Sequence, residues 1–270
     1  MQSSVHSRLF PVRILTAALG LLALVATVRA DDAKAVTTNG VVAAPKKKNW
    51  ESVATAGFTL TRGNSHTFGF AGSVTTKRNW TNNEVLLGAN VGYGNTSTTV
   101  GGKKVETTTD SYVKLYGQWN HFITTRAYAG ARVNFDHDDV AALTYRATLS
   151  PLVGYYFVKT NNSNLAGEIG PSGVREKFFG QPAKDYLGLR LAERGDHKFA
   201  NGAKVWESAD WVAQMDKMNN YLLNMEIGVS APISKALSVS LILQDTYKNV
   251  PAIGKLKNDL KLIGALSYAF

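Results

Sequence analysis

The stretch Arg126-Ala127-Tyr128-Ala129-Gly130-Ala131-Arg132-Val133-Asn134-Phe135-Asp136 decides the fold. One parity carries Arg126, Tyr128, Gly130, Arg132, Asn134 and Asp136, and the other is wholly apolar. Successive side chains of a strand point to opposite faces, so this segment fits a strand that separates two different media. On a helix, at about 100° per residue, the same polar positions would scatter around the circumference and leave no apolar stripe.

The alternation recurs on both sides of this segment. Phe68, Phe70, Gly72 and Val74 oppose Gly69, Ala71, Ser73 and Thr75, and Val85, Leu87, Ala89, Val91 and Tyr93 oppose Glu84, Leu86, Gly88, Asn90 and Gly92. Further strands are expected around Val113–Trp119, Leu143–Tyr155, Leu187–Leu191, Tyr221–Val229, Leu237–Leu243 and Leu260–Phe270, with weaker ones at 52–62, 164–173 and 203–213. That makes twelve. Residues 51–270 then allot about 18 residues to each strand and its connection, which suits membrane-crossing strands of roughly 9 to 11 residues. After the first thirty residues no apolar run approaches the length of a spanning helix. Any crossing must therefore be made of strands, and strands in lipid must close to leave no unpaired edge.

The competing architecture is a soluble β-sandwich or lipocalin-like barrel, whose strands also alternate. Gly and Thr on the polar parity favour a lumen. A one-residue slip of the 126–136 strand would put Arg126 and Arg132 in lipid, at about 2 to 4 kcal/mol each near the midplane. Aromatic residues of the apolar parity gather at two heights: Tyr93, Phe135, Trp211 and Tyr221 at one rim, and Trp119, Tyr155, Phe157, Tyr268 and Phe270 at the other. Amphipathic rings belong at headgroup depth. The expected fold is all-β: a transmembrane antiparallel β-barrel of twelve strands over residues 50–270. It is preceded by a signal peptide at 1–30 and a flexible periplasmic tail at 31–49.

The signal reading rests on Arg8 and Arg13 before the apolar run Ile14–Val28, with Val28-Arg29-Ala30 at the cleavage position. The run is too short to span and is followed by Asp31-Asp32. Residues 31–49 lack any period and contain Pro45. The localisation implied is the cell outer membrane. Of 270 residues, 44% are hydrophobic and 19% charged, and the formal charge is +10. Three of the 30 Lys and Arg lie before Asp31, which leaves 27 against 20 acids in the rest. Apart from Lys46-Lys47-Lys48 they are dispersed, so nucleic acid is not an expected partner. The absence of cysteine excludes disulfides, cysteine-ligated metals and a thiol nucleophile.

The longer connections are expected on the outer side, at Arg62–His66, Asn95–Glu106, Asp136–Ala142, Arg175–Lys184, Met215–Asn219 and Thr246–Asn258. The tighter ones, at Asn79–Asn82, His121–Thr124, Lys159–Asn162, Arg194–Gly202 and Pro232–Ala236, are expected on the periplasmic side.

Several motifs carry a family resemblance: Arg62-Gly63-Asn64-Ser65, Tyr145-Arg146, Ser150-Pro151-Leu152-Val153-Gly154-Tyr155-Tyr156, Glu168-Ile169-Gly170-Pro171, and Asp245-Thr246-Tyr247-Lys248-Asn249-Val250-Pro251. With them, residues 50–270 resemble the bacterial salt-induced outer membrane protein family, domain of unknown function 481. The ending Leu262–Phe270 also resembles the C-terminal targeting strand of outer-membrane proteins. That resemblance implies that Tyr268 and Phe270 are the assembly signal read by the barrel-assembly machinery. Outer-membrane lipids and lipopolysaccharide are the other expected partners.

For chemistry, the histidines His66, His121, His137 and His197 are expected in connections, with no Gly-x-Ser-x-Gly and no His–Ser pairing, so no enzyme and no catalytic residues are expected. Asp136-His137-Asp138-Asp139 reads as a solvated loop in preference to a divalent-cation site; no metal and no cofactor is expected. The lumen parity sets seven bases, among them Lys114, Arg126, Arg132, Arg146 and Arg190, against seven acids, among them Glu84, Glu168, Asp210 and Glu226. Balanced charge does not make a strongly ion-selective ring, and twelve strands enclose less space than wide porins. The lumen is therefore expected to be constricted, with Arg126, Arg132, Arg146, Glu168 and Glu226 as its site residues. The expected function is a narrow porin-like channel for passive passage of small solutes or ions. The alternative is a structural, envelope-integrity barrel with an occluded lumen; an outer-membrane enzyme or a soluble binding barrel ranks below both. Pro151 and Pro171 are expected at one height, Pro151 opposite Gly170 and Pro171 opposite Ser150, as a weak seam in the wall.

Overall fold

The computed structural model describes residues 50–61, 65–100 and 103–270. The expected signal, the 31–49 tail and the turn residues 62–64 lie outside the described residues. Among the described residues, twelve strands follow in order: β1 Glu51–Thr61, β2 Ser65–Asn79, β3 Asn83–Val100, β4 Lys103–Phe122, β5 Ala127–Asp138, β6 Leu143–Lys159, β7 Ser163–Phe178, β8 Lys184–Lys198, β9 Lys204–Gln214, β10 Lys217–Pro232, β11 Leu237–Lys248 and β12 Asn258–Ala269. Each pairs antiparallel with its sequence neighbours. β1 closes on β12, with Val53 opposite Ala269 and Gly57 opposite Ala265.

The two faces of the wall invert the arrangement of a soluble protein. Leu87, Val91, Leu115, Val133, Leu149, Ile169, Leu241 and Leu262 are exposed on the outside, while Glu84, Gln118, Asn120, Glu168 and Arg190 are buried within. Buried charge surrounded by an apolar exterior is the solution for a wall whose outer solvent is hydrocarbon. At the rim that carries both ends of the barrel, Trp119, Tyr155, Phe157, Tyr268 and Phe270 are exposed, with Tyr268 and Phe270 stacked at 6.1 Å. At the opposite rim Tyr93 and Phe135 are exposed, and Trp211, Tyr221 and Tyr247 form a chain of ring contacts at 6.3 and 5.7 Å. The acids Glu193, Glu207 and Asp245 share the outward face by strand alternation. Glu207 stands three residues from the start of β9 and Asp245 three from the end of β11, near the rims where a charge on the lipid face costs least.

Inside, glycines make room for rings. Tyr116 lies directly opposite Gly88, Tyr112 opposite Gly92, Tyr128 opposite Gly154 and Trp206 opposite Gly228. In each pair the ring occupies the place a Cβ would take. The Gly and aromatic content of the polar parity is thus one feature: rings laid flat on the inner wall.

The structure corrects several expectations. The expected outer loop Asn95–Glu106 is mostly strand, because β3 and β4 continue as a paired hairpin to Val100 opposite Lys103. The other outer connections shrink to 139–142, 179–183 and 215–216, leaving 249–257 as the long one. His66, His121, His137 and His197 lie in strands rather than connections. Leu143 is buried instead of facing outward, because the register shifts between Leu143 and Tyr145 and reverses its parity.

The proline seam is displaced by one residue. Leu149 pairs with Gly173 and Val153 with Ile169, so the two prolines face each other across β6 and β7. The ladder carries no pairs for 150–152 against 170–172, although Pro151 stays paired to Ala131 and Pro171 to Leu189 on their other sides. Two residues without N–H placed opposite one another confine the lost hydrogen bonds to one spot. Inside the wall, the Ser150 and Ser172 hydroxyls, both fully buried, bond to each other at 2.6 Å and close the gap.

Candidate functional site: the barrel lumen

The lumen has two storeys. Towards the rim that holds both ends, charged and amide side chains from opposite walls form a continuous screen. Glu84 on β3, 1% exposed, accepts from Arg194 Nη2 on β8 at 2.9 Å and Asn120 Nδ2 at 2.9 Å, and pairs with Lys77 Nζ at 2.8 Å. Arg194 also donates to Tyr156 Oη at 3.0 Å. Glu168 accepts from Arg190 Nη1 at 2.9 Å, Gln118 Nε2 at 2.7 Å and Tyr128 Oη at 2.8 Å. Arg190 turns its other nitrogens to Asp210, at 2.6 and 2.9 Å. Arg132 donates to Gln118 Oε1 at 3.0 Å and Asn134 Oδ1 at 2.9 Å, with its guanidinium 4.4 Å from the Tyr116 ring centre.

This screen reaches from β2 to β9, and the Glu84–Arg194 bond joins β3 to β8 across the four strands between them in a twelve-strand ring. Beneath it Tyr128, Leu152, Tyr156 and Ala166 form an apolar floor against Phe122. Within the screen, the buried Glu84, Glu168 and Arg190 each have an opposite charge within reach, and both glutamates also accept from neutral donors, which a low-dielectric site demands.

The other storey is an open cup of 460 Å³ lined by Tyr112, Lys114, Arg132, Asp136, Glu226 and Lys261 among others. Its charges are loosely or singly paired: Lys261 meets Asp110, and Glu226 accepts from Trp206 Nε1 at 2.7 Å and Gln244 Nε2 at 2.8 Å. The long connection 249–257 crosses the mouth from β11 to the far wall. Ala252 is buried there against Leu143 at the start of β6 and Phe178 at the end of β7. Lys248, at the root of this connection, lies 3.8 Å from Glu176, which also takes two bonds from Arg146, both at 2.9 Å.

Of the residues expected at the constriction, Glu168 sits at the centre of the screen and Arg132 at its upper edge. Arg146 is held higher, under the crossing loop, and Glu226 lies on the opposite arc. Arg126 does not belong to the lumen: it is exposed in the turn between β4 and β5, because β5 begins one residue later. Arg194, expected in a connection, is the residue that joins the two walls. Gln118, Asn120, Tyr128 and Tyr156 complete the screen; their place on the polar parity is the signal the sequence holds for them.

A serine–histidine contact that the sequence did not suggest exists at a strand end: Ser163 Oγ lies 2.7 Å from His197 Nδ1. Among the described residues no carboxylate forms an ion pair with that ring. In the Asp136–Asp139 segment, Asp138 accepts the Ala141 N–H at 2.8 Å and Asp139 the Ser111 hydroxyl at 2.5 Å; these bonds shape the turn.

Among solved structures, the chain is similar to a NanC porin, with 5% identity, TM-score 0.49, and coverage of 81% of this chain and 98% of that one. It is also similar to a KdgM porin (9%, TM-score 0.42, 81% and 99%) and to an outer membrane channel from Pseudomonas putida F1 (9%, TM-score 0.46, 87% and 100%). No curated protein matches this chain. The family model described as "Protein of unknown function, DUF481" matches residues 54–270, and the chain belongs to that family.

Proposed function

We propose that this protein is an outer-membrane barrel that lets small solutes or ions pass through a narrow lumen, entered from the outer side through the polar cup. The observation that carries this reading is the chemistry of the obstruction. In the screen, facing walls are joined by the Glu84–Arg194 and Gln118–Glu168 bonds, between polar and charged side chains. Charged side chains can exchange partners with water and ions, whereas an apolar plug offers a permeant nothing to bind. The near balance of acids and bases favours weak ion selectivity. Tyr268 and Phe270 are proposed as the assembly signal for the barrel-assembly machinery, with outer-membrane lipids and lipopolysaccharide around the wall.

The second reading, a structural barrel without conduction, is favoured by the dryness of the screen, where Glu84 and Asn120 are 1% and 0% exposed. Planar-bilayer recording of the purified protein separates the two. A channel gives discrete steps smaller than those of 16- to 18-stranded porins. A structural barrel that is folded and inserted gives none.

A further inference from the structure

We propose that Arg78, Trp50 and Trp80 form a binding site for the phosphodiester of an anionic phospholipid, on the rim that holds both ends of the barrel. Arg78 lies on the outward parity of β2, in line with the exposed Phe68 and Val74. Its neighbour along the strand, Lys77, points inward to Glu84, so strand alternation sends the guanidinium to the outside. There it lies 4.5 Å from the ring centre of Trp80 and 5.4 Å from that of Trp50. The two indoles stand edge to face at 6.4 Å and are both exposed.

Three features make this a built site rather than a stray surface arginine. Among the described residues no carboxylate lies within ion-pair distance of Arg78, so the charge is not neutralised by the protein. The rings on two sides hold the guanidinium in place and remove much of the side-chain entropy that binding would otherwise lose. The height is that of the aromatic rim formed by Trp119, Tyr155, Phe157, Tyr268 and Phe270, where lipid phosphates lie beside indole N–H donors. A planar fork of N–H groups matches a phosphodiester, and both indoles can add a donor. The site does not depend on solute passage through the lumen; it depends only on the wall standing in a membrane.

The test is native mass spectrometry of the full-length protein in detergent, titrated separately with phosphatidylglycerol, phosphatidylethanolamine and inorganic phosphate. Heat-dependent gel mobility verifies that each variant is folded. Wild type is expected to hold one phosphatidylglycerol about tenfold more tightly than phosphatidylethanolamine. Arg78→Gln is expected to abolish that preference, and Arg78→Lys to keep part of it. Trp80→Ala is expected to weaken binding while the charge remains. The proposal is overturned if wild type shows no preference for the anionic lipid, or if Arg78→Gln keeps it. Inorganic phosphate competing as well as the lipid would assign the site to the free anion and overturn the lipid assignment.

Discussion

Gly170 shows how little freedom a single position in this wall has. A Cβ there would run into the carbonyl oxygen of Pro151 across the interrupted stretch of the ladder. Three residues on, a Cβ at Gly173 would meet only the Leu149 oxygen, at 4.0 Å. Gly170→Ala should therefore destabilise the barrel by about 1–3 kcal/mol, as overpacking does. Gly173→Ala should be nearly neutral, and urea unfolding in lipid vesicles compares the two. Arg190 allows a complementary test with charge. Its guanidinium serves Glu168 and Asp210 together, so Arg190→Met takes the nearest cation from a buried and a half-buried carboxylate, leaves them only the longer contacts to Arg194 and Arg132, and should lose about 3 kcal/mol. Adding Glu168→Gln and Asp210→Asn removes the orphaned charges, and the triple variant should regain much of that loss. If the losses simply add, the three residues do not act as one network.

At the scale of the element, the connection 249–257 is rooted on β10 through Asn249 and docked on the far wall by one small side chain. Ala252 is buried between Leu143 and Phe178, while its neighbours Ile253 and Leu256 are exposed and Gly254 takes a positive φ of 77° that lets the chain turn back. A carboxylate in that apolar seat would have no partner, so Ala252→Glu should release the loop from the far wall. Trypsin should then cut at Lys255 or Lys257 faster than in wild type, with the barrel core left intact; an unchanged rate would mean that the loop is held by other contacts.

The same scale shows what could be read from the chain. Strand existence was legible because each strand separates two media, and that contrast is written at every second residue. Strand ends were not legible where the medium does not change. β3 and β4 run on past the apolar band through a Thr-rich stretch, which pairs as well in water as in a loop reading. Leu143 was misplaced because one bulge reverses parity, and nothing in the local composition marks it. The proline register was off by one because the turn pairs Lys159 with Asn164, a count that alone would set Pro151 opposite Ser172, and the shift between Tyr156 and Val158 brings it back by one to Pro171.

For the whole molecule, the screen depends on pairings that periodicity cannot supply. Arg194 and Glu84 stand 110 positions apart and meet only because the barrel closes. Local sequence hid Arg194 further, since Glu193-Arg194-Gly195-Asp196-His197-Lys198 shows no alternation of apolar and polar residues although β8 continues through it. The constriction residues were thus partly legible as a polar parity, and the one that bridges the walls was not.

That bridge gives the clearest prediction for the assembled barrel. Arg194→Ala removes the donor to both Glu84 and Tyr156. Glu84 keeps Lys77 and Asn120, so the variant should fold with its screen opened on one side. Its single-channel conductance should rise above that of wild type and shift toward cations, because Glu84 and Glu168 lose a shared positive neighbour. Arg132→Ala, at the upper edge of the screen, should change conductance less, and Arg126→Ala, exposed in its turn, should leave it at the wild-type value. Equal conductance in all three, with each shown to be inserted and heat-modifiable, would place the limiting section of the lumen outside the Glu84–Arg194 contact.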